Sequence, residues 1–277
     1  MKRFFSLSFL LFLTLSLPAQ DSLHVERLLR QAPKATSGEL MLFFARQFLG
    51  VPYVAHTLEQ AATEDTLVVN LRQMDCTTLV ETCTALTLTA QAGSHHYADY
   101  KTRLNRIRYR QGRRDGYASR NHYFHQWVRS NEALGIVQEI KSAGAPFTAL
   151  QRISLRWMSQ HPKSYPQLGD EKQRTRVAQY EKACDGDTRR YIPRAQLNGT
   201  RKGALGIVRD GDILGIVTRK HGLDTTHLGI AVWGKDGKLH LLNASSIHKK
   251  VVEEPMTLYE YMGKHPSQLG IRVVRVQ

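Results

Sequence analysis

The hydrophobic period of this chain changes once, near residue 205, and that change constrains the fold more than any other feature. Before it, apolar residues recur at three and four. Leu40, Phe43, Phe44 and Phe48 line one face of a helix expected over 37–49, with Ser37 as N-cap and Gly50-Val51-Pro52 as the stop. Leu79, Val80, Cys83, Leu86 and Ala90 do the same over 76–91. Further helices are expected over 22–32, 97–109, 132–142 and 171–183, and a short strand over 66–70. After residue 205 the chain breaks into β-branched runs at 212–218, 227–233, 238–243, 249–253 and 271–276, with Lys235-Asp236-Gly237 as a hairpin turn. Helices first and antiparallel strands later predict an α+β domain, its N-terminal helices packed on a C-terminal antiparallel β-sheet. No repeat or low-complexity linker interrupts it, so one domain is expected over residues 21–277.

Composition narrows the class. A hydrophobic fraction of 42% over 277 residues is enough to bury a core and excludes a mainly disordered chain. Lys2 and Arg3, the apolar stretch from Phe4 to Leu17, then Pro18 and Ala19, have the layout of a secretory signal over 1–20, with cleavage after Ala19 or Gln20. No Cys follows for a lipid anchor. Losing Lys2 and Arg3 lowers the net charge from +15 by two, to +13. An exported chain this basic is expected to meet anionic envelope polymers, not nucleic acid, in the periplasm or outside the cell.

Three Cys in an exported chain leave at least one thiol free or paired between chains. Cys76 stands where polar residues give way to a helical apolar pattern. Unpaired backbone N–H groups at a helix N-terminus favour a thiolate and can hold an oxyanion. A buried, inert thiol is the competing reading. Cys83 lies two turns along the same helix, roughly 10 Å away, too far for a disulfide with Cys76; its apolar neighbours make it core. Cys184, in Cys184-Asp185-Gly186-Asp187, reads as a loop residue, and the sequence leaves a Cys83–Cys184 bridge open.

A thiol nucleophile needs a base, and His227 is the best placed of twelve His. It opens a strand in which His227, Gly229 and Ala231 share one face and Leu228, Ile230 and Val232 the other. The small residues leave room for a helix or substrate beside the imidazole. The following strand offers two orienting groups, His240 and Asn243, three apart and therefore on opposite faces. The remaining His, including the pairs His95/His96 and His122/His125, lack HExxH or CxxC spacing, so no metal or other cofactor is expected.

Asp75-Cys76-Thr77-Thr78-Leu79-Val80 and Thr226-His227-Leu228-Gly229-Ile230-Ala231 resemble the nucleophile and base motifs of NlpC-type, papain-like cell-wall peptidases. Gly50-Val51-Pro52-Tyr53 is similar to the segment that precedes the nucleophile there. Ser119-Arg120-Asn121-His122-Tyr123, Tyr191-Ile192-Pro193 and the run from Leu239 to Ser246 look like the N-acetylmuramoyl-L-alanine-amidase-like branch of that superfamily, long catalogued as a domain of unknown function. The likeness spans nearly the whole chain beyond the leader.

The resemblance implies a papain-like fold with Cys76 as nucleophile, His227 as general base and Asn243 as orienting group, where the superfamily often has His. It implies substrate binding by Tyr53, Asp75, Arg120, Asn121, His122 and Ser245. Tyr117, Tyr123, Phe124 and Trp127 lie near the Arg120 run, and aromatics with charged donors suit a sugar–peptide ligand; a solvated loop is the competing reading. The implied reaction is cleavage of the N-acetylmuramoyl-L-alanine amide of peptidoglycan or a muropeptide. Endopeptidase cleavage between D-Glu and the diamino acid, wall binding without catalysis, and acyl transfer on lipids remain as alternatives on the same fold.

Overall fold

The computed structural model describes residues 17–59 and 64–277. The expected leader lies outside them except for Leu17–Gln20, which open the first helix, α1 (Leu17–Gln31). The other N-terminal helices are α2 (Ser37–Gln47), α3 (Cys76–Gln91), α4 (Tyr97–Arg108) and α5 (Phe124–Ala133). Short α6 (Trp157–Gln160), α7 (Glu171–Lys182) and α8 (Leu258–Gly263) follow. The strands are β1 (Val137–Ile140), β2 (Ala149–Arg152), β3 (Thr188–Pro193), β4 (Ile213–Thr218), β5 (Thr225–Trp233), β6 (Leu239–Ser245), β7 (Lys250–Glu253) and β8 (Gln268–Val276). Among the described residues no helix is long and apolar enough to cross a membrane.

All eight strands pair antiparallel in one sheet, in the order β2-β3-β8-β4-β5-β6-β7, with β1 also on β8. The sheet is apolar on both faces. On one, Leu79, Val80, Cys83 and Leu86 of α3 pack with Leu228, Ile230 and Val232 of β5 and Leu242 of β6. On the other, Leu214, Ile216, Leu241 and Val273 meet Leu258, Tyr261 and Met262 around α8. A third cluster joins Tyr117, Tyr123, Leu155, Met158, Leu168 and Val177 outside the sheet.

Several expectations are corrected. The N-cap of α2 is Thr36, not Ser37: Thr36 Oγ1 accepts from the Glu39 amide, and Glu39 Oε2 accepts from the Thr36 amide at 2.8 Å, a reciprocal capping box. Residues 132–142 are not a helix. Gly135, at φ +68°, ends α5, and the next residues enter the sheet as β1, where Val137–Ile140 pair with Val273–Val276. Residues 66–70 form no strand; their backbone serves α4 instead, Val68 C=O accepting from Arg108. The strands β2 and β3 lie in polar sequence that carries no alternating pattern. The hairpin at Gly237 has the positive φ that its turn requires, +72°.

Candidate active site

α3 starts at Cys76 because Asp75 caps it. Asp75 Oδ1 accepts from the Thr78 amide at 2.8 Å, and Thr78 Oγ1 accepts from the Asp75 amide at 2.9 Å. Thr57 donates to the other carboxylate oxygen at 3.2 Å. Cys76 thus occupies the first helical position, half-buried, at the positive end of the α3 dipole. The segment Pro52–Val54 is zipped alongside. Met74 N donates to Pro52 C=O at 3.0 Å and Val54 N to Met74 C=O at 3.1 Å, which sets half-buried Tyr53 next to the thiol. Burial, then the charges of Cys76 and Asp75, raise the Tyr53 pKa, so its hydroxyl keeps its proton as a donor.

His227, on β5, lines the same cleft as Cys76, and the sulfur acts on its ring. Its Nε2–H donates to Asn243 Oδ1 at 2.8 Å, which leaves Nδ1 for the sulfur. Burial disfavours the imidazolium, but the Cys76 sulfur, the Asn243 hydrogen bond and the Glu254 charge outweigh it and raise the His227 pKa. A raised histidine beside a sulfur at a helix N-terminus can form a thiolate–imidazolium pair. His240 is on the other side of β6, between Glu254 C=O at 3.0 Å and Asp236 Oδ2 at 3.1 Å. Strand alternation therefore places the two candidates apart, and the imidazole meets Asn243.

Cys76 and His227 line a cleft of about 310 Å³, together with Tyr53, Asp75, Glu81, Arg120, Asn121, His122, Tyr123, Trp157 and Asp224 among others, and Asn243 is buried behind the imidazole. Residues 43–271 match the family described as AmiA-like, N-acetylmuramoyl-L-alanine amidase-like. The chain belongs to this family. It is also similar to an N-acetylmuramoyl-L-alanine amidase from Bacteroides uniformis, with 37% identity and a TM-score of 0.80 over 88% of this chain and 100% of that one. A Bacteroides fragilis protein carrying a provisional xylanase name is 38% identical, with a TM-score of 0.76 over 83% and 98%. A Legionella pneumophila protein at 22% identity shares the fold, with a TM-score of 0.68 over 93% and 94%. No curated protein matches.

The other expected residues of this amidase-like chain fall into two groups. Arg120, Asn121 and His122 line the cleft, the first two buried and His122 half-buried, so they are not a solvated loop. The Arg120 guanidinium pairs with Glu59 and, at 3.3 Å, with Glu64, over the Tyr117 ring. Asn121 Nδ2 donates to Ile107 C=O at 3.3 Å, and His122 Nε2 meets Tyr117 C=O at 2.9 Å. Burial drives the His122 pKa far down, so that ring is neutral. Ser245 is a correction: it is buried, absent from the cleft lining, and its Oγ accepts from the His248 amide at 3.2 Å to close a turn.

The space beside Gly229 is also not open. A Cβ there would lie 2.5 Å from Leu241 Cδ1, so the neighbouring strand fills it, while α3 covers the bulky face of β5. All three cysteines are free. Cys184 is buried in the third apolar cluster, with no bridge to Cys83. Burial raises the Cys83 pKa and keeps that thiol protonated. Among the described residues no cluster of three or more His, Cys, Asp or Glu could hold a metal ion.

Sequence reasoning missed Glu254, 2% exposed, whose Oε1 accepts from Asn243 Nδ2 at 3.2 Å. It also missed the ion pair beneath the cleft, Arg108 with Glu81 at 2.6 Å. Neither has a motif. Glu254 is brought to Asn243 by the β6–β7 register, in which Asn243 pairs with Val252.

Proposed function

We propose that this protein is a papain-like, NlpC-type cysteine hydrolase of the cell envelope that cleaves the N-acetylmuramoyl-L-alanine amide of peptidoglycan fragments. The observation that carries the reading is His227, which shares the cleft with Cys76 at a helix N-terminus and is hydrogen-bonded to Asn243 on its other side. Family membership and the Bacteroides uniformis amidase favour this bond over others on the same fold. The basic leader and the +15 charge favour an exported protein that meets an anionic polymer.

In this mechanism the Cys76 thiolate attacks the lactyl carbonyl carbon, and the Cys76 amide with the Tyr53 hydroxyl stabilises the resulting oxyanion. The C–N bond breaks as His227 passes its Nδ1 proton to the departing L-Ala nitrogen, leaving a thioester. His227 then takes a proton from water, the hydroxide attacks the thioester, and Cys76 departs with the muramoyl carboxylate released. Asn243 holds the ring in the tautomer that both steps need.

The cleft carboxylates favour a thiol mechanism over a paired-carboxylate glycosidase. Glu59 is tied to Arg120, Asp75 to the α3 cap, Glu81 to Arg108, and Asp224 accepts from the His125 amide at 2.6 Å. Mass analysis of a defined muropeptide incubated with wild type and Cys76→Ala tests the proposal. Release of intact stem peptide, lost in the variant, is expected. Stem shortening would move the scissile bond to the endopeptidase position, and hydrolysis by Cys76→Ala would reject the nucleophile.

A further inference from the structure

An asparagine amide is nearly symmetric in shape, so its orientation has to be set by what surrounds it. In one orientation Asn243 Oδ1 accepts from His227 Nε2–H and leaves Nδ1 free to take the Cys76 proton. In the other, the NH2 group faces the ring. It then demands a lone pair on Nε2, forces the proton to Nδ1, and opposes an imidazolium. Only the first orientation serves a thiolate–imidazolium pair.

Asn243 is fully buried, so bulk water does not make the choice. Glu254 lies on its far side. An ionised carboxylate accepts only, and Oε1 takes the Asn243 Nδ2 hydrogen at 3.2 Å. Its second oxygen accepts from His248 Nε2 at 3.1 Å, a ring whose side chain is 36% exposed and reaches the surface. Flipping the amide would set two acceptors against each other in a buried site, a costly arrangement.

We propose that Glu254 is a positioning residue that locks the Asn243 amide, and through it the His227 tautomer, so that the catalytic relay has four members instead of three. The proposal rests on the hydrolase reading above. Its chemistry involves no covalent step at Glu254: the carboxylate selects a hydrogen-bond polarity that runs from His248 and Asn243 into Glu254, and from the imidazole into Asn243. The groups acting on that imidazole are Cys76, Asn243 and Glu254, with Tyr53 beside the sulfur.

The test measures alkylation of Cys76 by iodoacetamide against pH, read by mass on the Cys76 peptide, so that it does not depend on which bond is cut. Glu254→Gln keeps the shape but offers both a donor and an acceptor, so either Asn243 orientation is satisfied. Its neutral-pH alkylation rate is expected to fall on the order of tenfold. Asn243→Asp alone sets two carboxylates face to face and is also expected to label slowly. The pair Asn243→Asp with Glu254→Gln reverses that one hydrogen bond, with the new amide donating to the new carboxylate. It should recover labelling to within about threefold of wild type. A purely structural Glu254 predicts no such recovery.

Thermal melts of all variants accompany the measurement, and the recovery in the double variant decides the matter even if Glu254→Gln is poorly folded. Wild-type labelling by Glu254→Gln, or a double variant no faster than Asn243→Asp, would overturn the proposal while leaving the hydrolase reading intact. A wild-type Cys76 that labels no faster than a short-peptide thiol would overturn the hydrolase reading and the role of Glu254 with it.

Discussion

The floor of the cleft contains a charge pair that water does not reach. Glu81, on the second turn of α3, receives Arg108 Nε at 2.6 Å, and both side chains are 2% exposed. Arg108 Nη1 also donates to Val68 C=O at 2.6 Å, which ties the end of α4 to the segment ahead of the nucleophile. Arg108→Met keeps most of the aliphatic stem and removes every donor. A carboxylate left buried without its partner costs about 3–5 kcal/mol. For a domain of this size that corresponds to a fall in Tm on the order of 10 °C.

The loss should depend on pH, with a sign fixed by Glu81. Burial pushes its carboxyl up, while Arg108, and more weakly Arg120, pull it down; the Asp75 charge adds to the rise. Removing Arg108 leaves burial to act nearly alone, so the folded variant keeps a proton that the unfolded chain releases above about pH 4.3. Stability present below that value is then lost as pH rises toward the raised folded pKa, at about 1.36 kcal/mol per unit. Melting followed by circular dichroism at pH 5, 6.5 and 8 should show the gap to wild type widening at each step. Adding Glu81→Gln should recover much of it at pH 8. A gap independent of pH, or a double variant as unstable as Arg108→Met, would refute the reasoning.

Three further outcomes follow from single contacts. Cys83→Ala, at a fully buried position on the core face of α3, should lower stability by about 1 kcal/mol in chemical denaturation and leave Cys76 labelling unchanged. His240→Ala removes a ring that reaches Asp236 and the Glu254 carbonyl and is remote from the imidazole, so muropeptide turnover should stay close to wild type; a collapse in turnover would mean that the β6 register is wrong. Gly229→Ala drives a Cβ to 2.5 Å from Leu241 Cδ1 and 2.9 Å from Leu242 C=O, and should cost about 1–3 kcal/mol on thermal melting.

What the sequence revealed follows from how local the signals are. α3, α4 and α7 and the strands from β4 onward have residues that alternate or recur within a few positions, so their periods identify them, to within a few residues at the ends. The Cys76 and His227 motifs are likewise short. β1 was invisible because its partner, β8, is more than a hundred residues away, and the Glu139 side chain is buried against Arg272 rather than displayed in a pattern. Arg120 reads as a surface charge until Glu59 and Glu64 are brought to it from another segment. Ser245 shares a motif with Asn243 and also its face of β6, yet it closes a turn instead of reaching the cleft. Glu139 and Arg120 are polar residues whose partners lie far along the chain, where composition and spacing are silent.

The position of β8 has its own consequence. This strand, Gln268–Val276, lies between β4 on one side and β1 and β3 on the other, although it comes after all of them in the chain. A ribosome delivers it after the other strands, so β4–β7, the β2–β3 pair and β1 wait apart with open edges until it arrives. Those edges present unpaired backbone and apolar side chains, the condition under which partly folded chains associate. The non-local closure that follows should make folding slow for a chain this rich in helix. A truncation that ends before Gln268 would therefore do more than trim an end: it would leave β4–β7, β2–β3 and β1 with nothing between them.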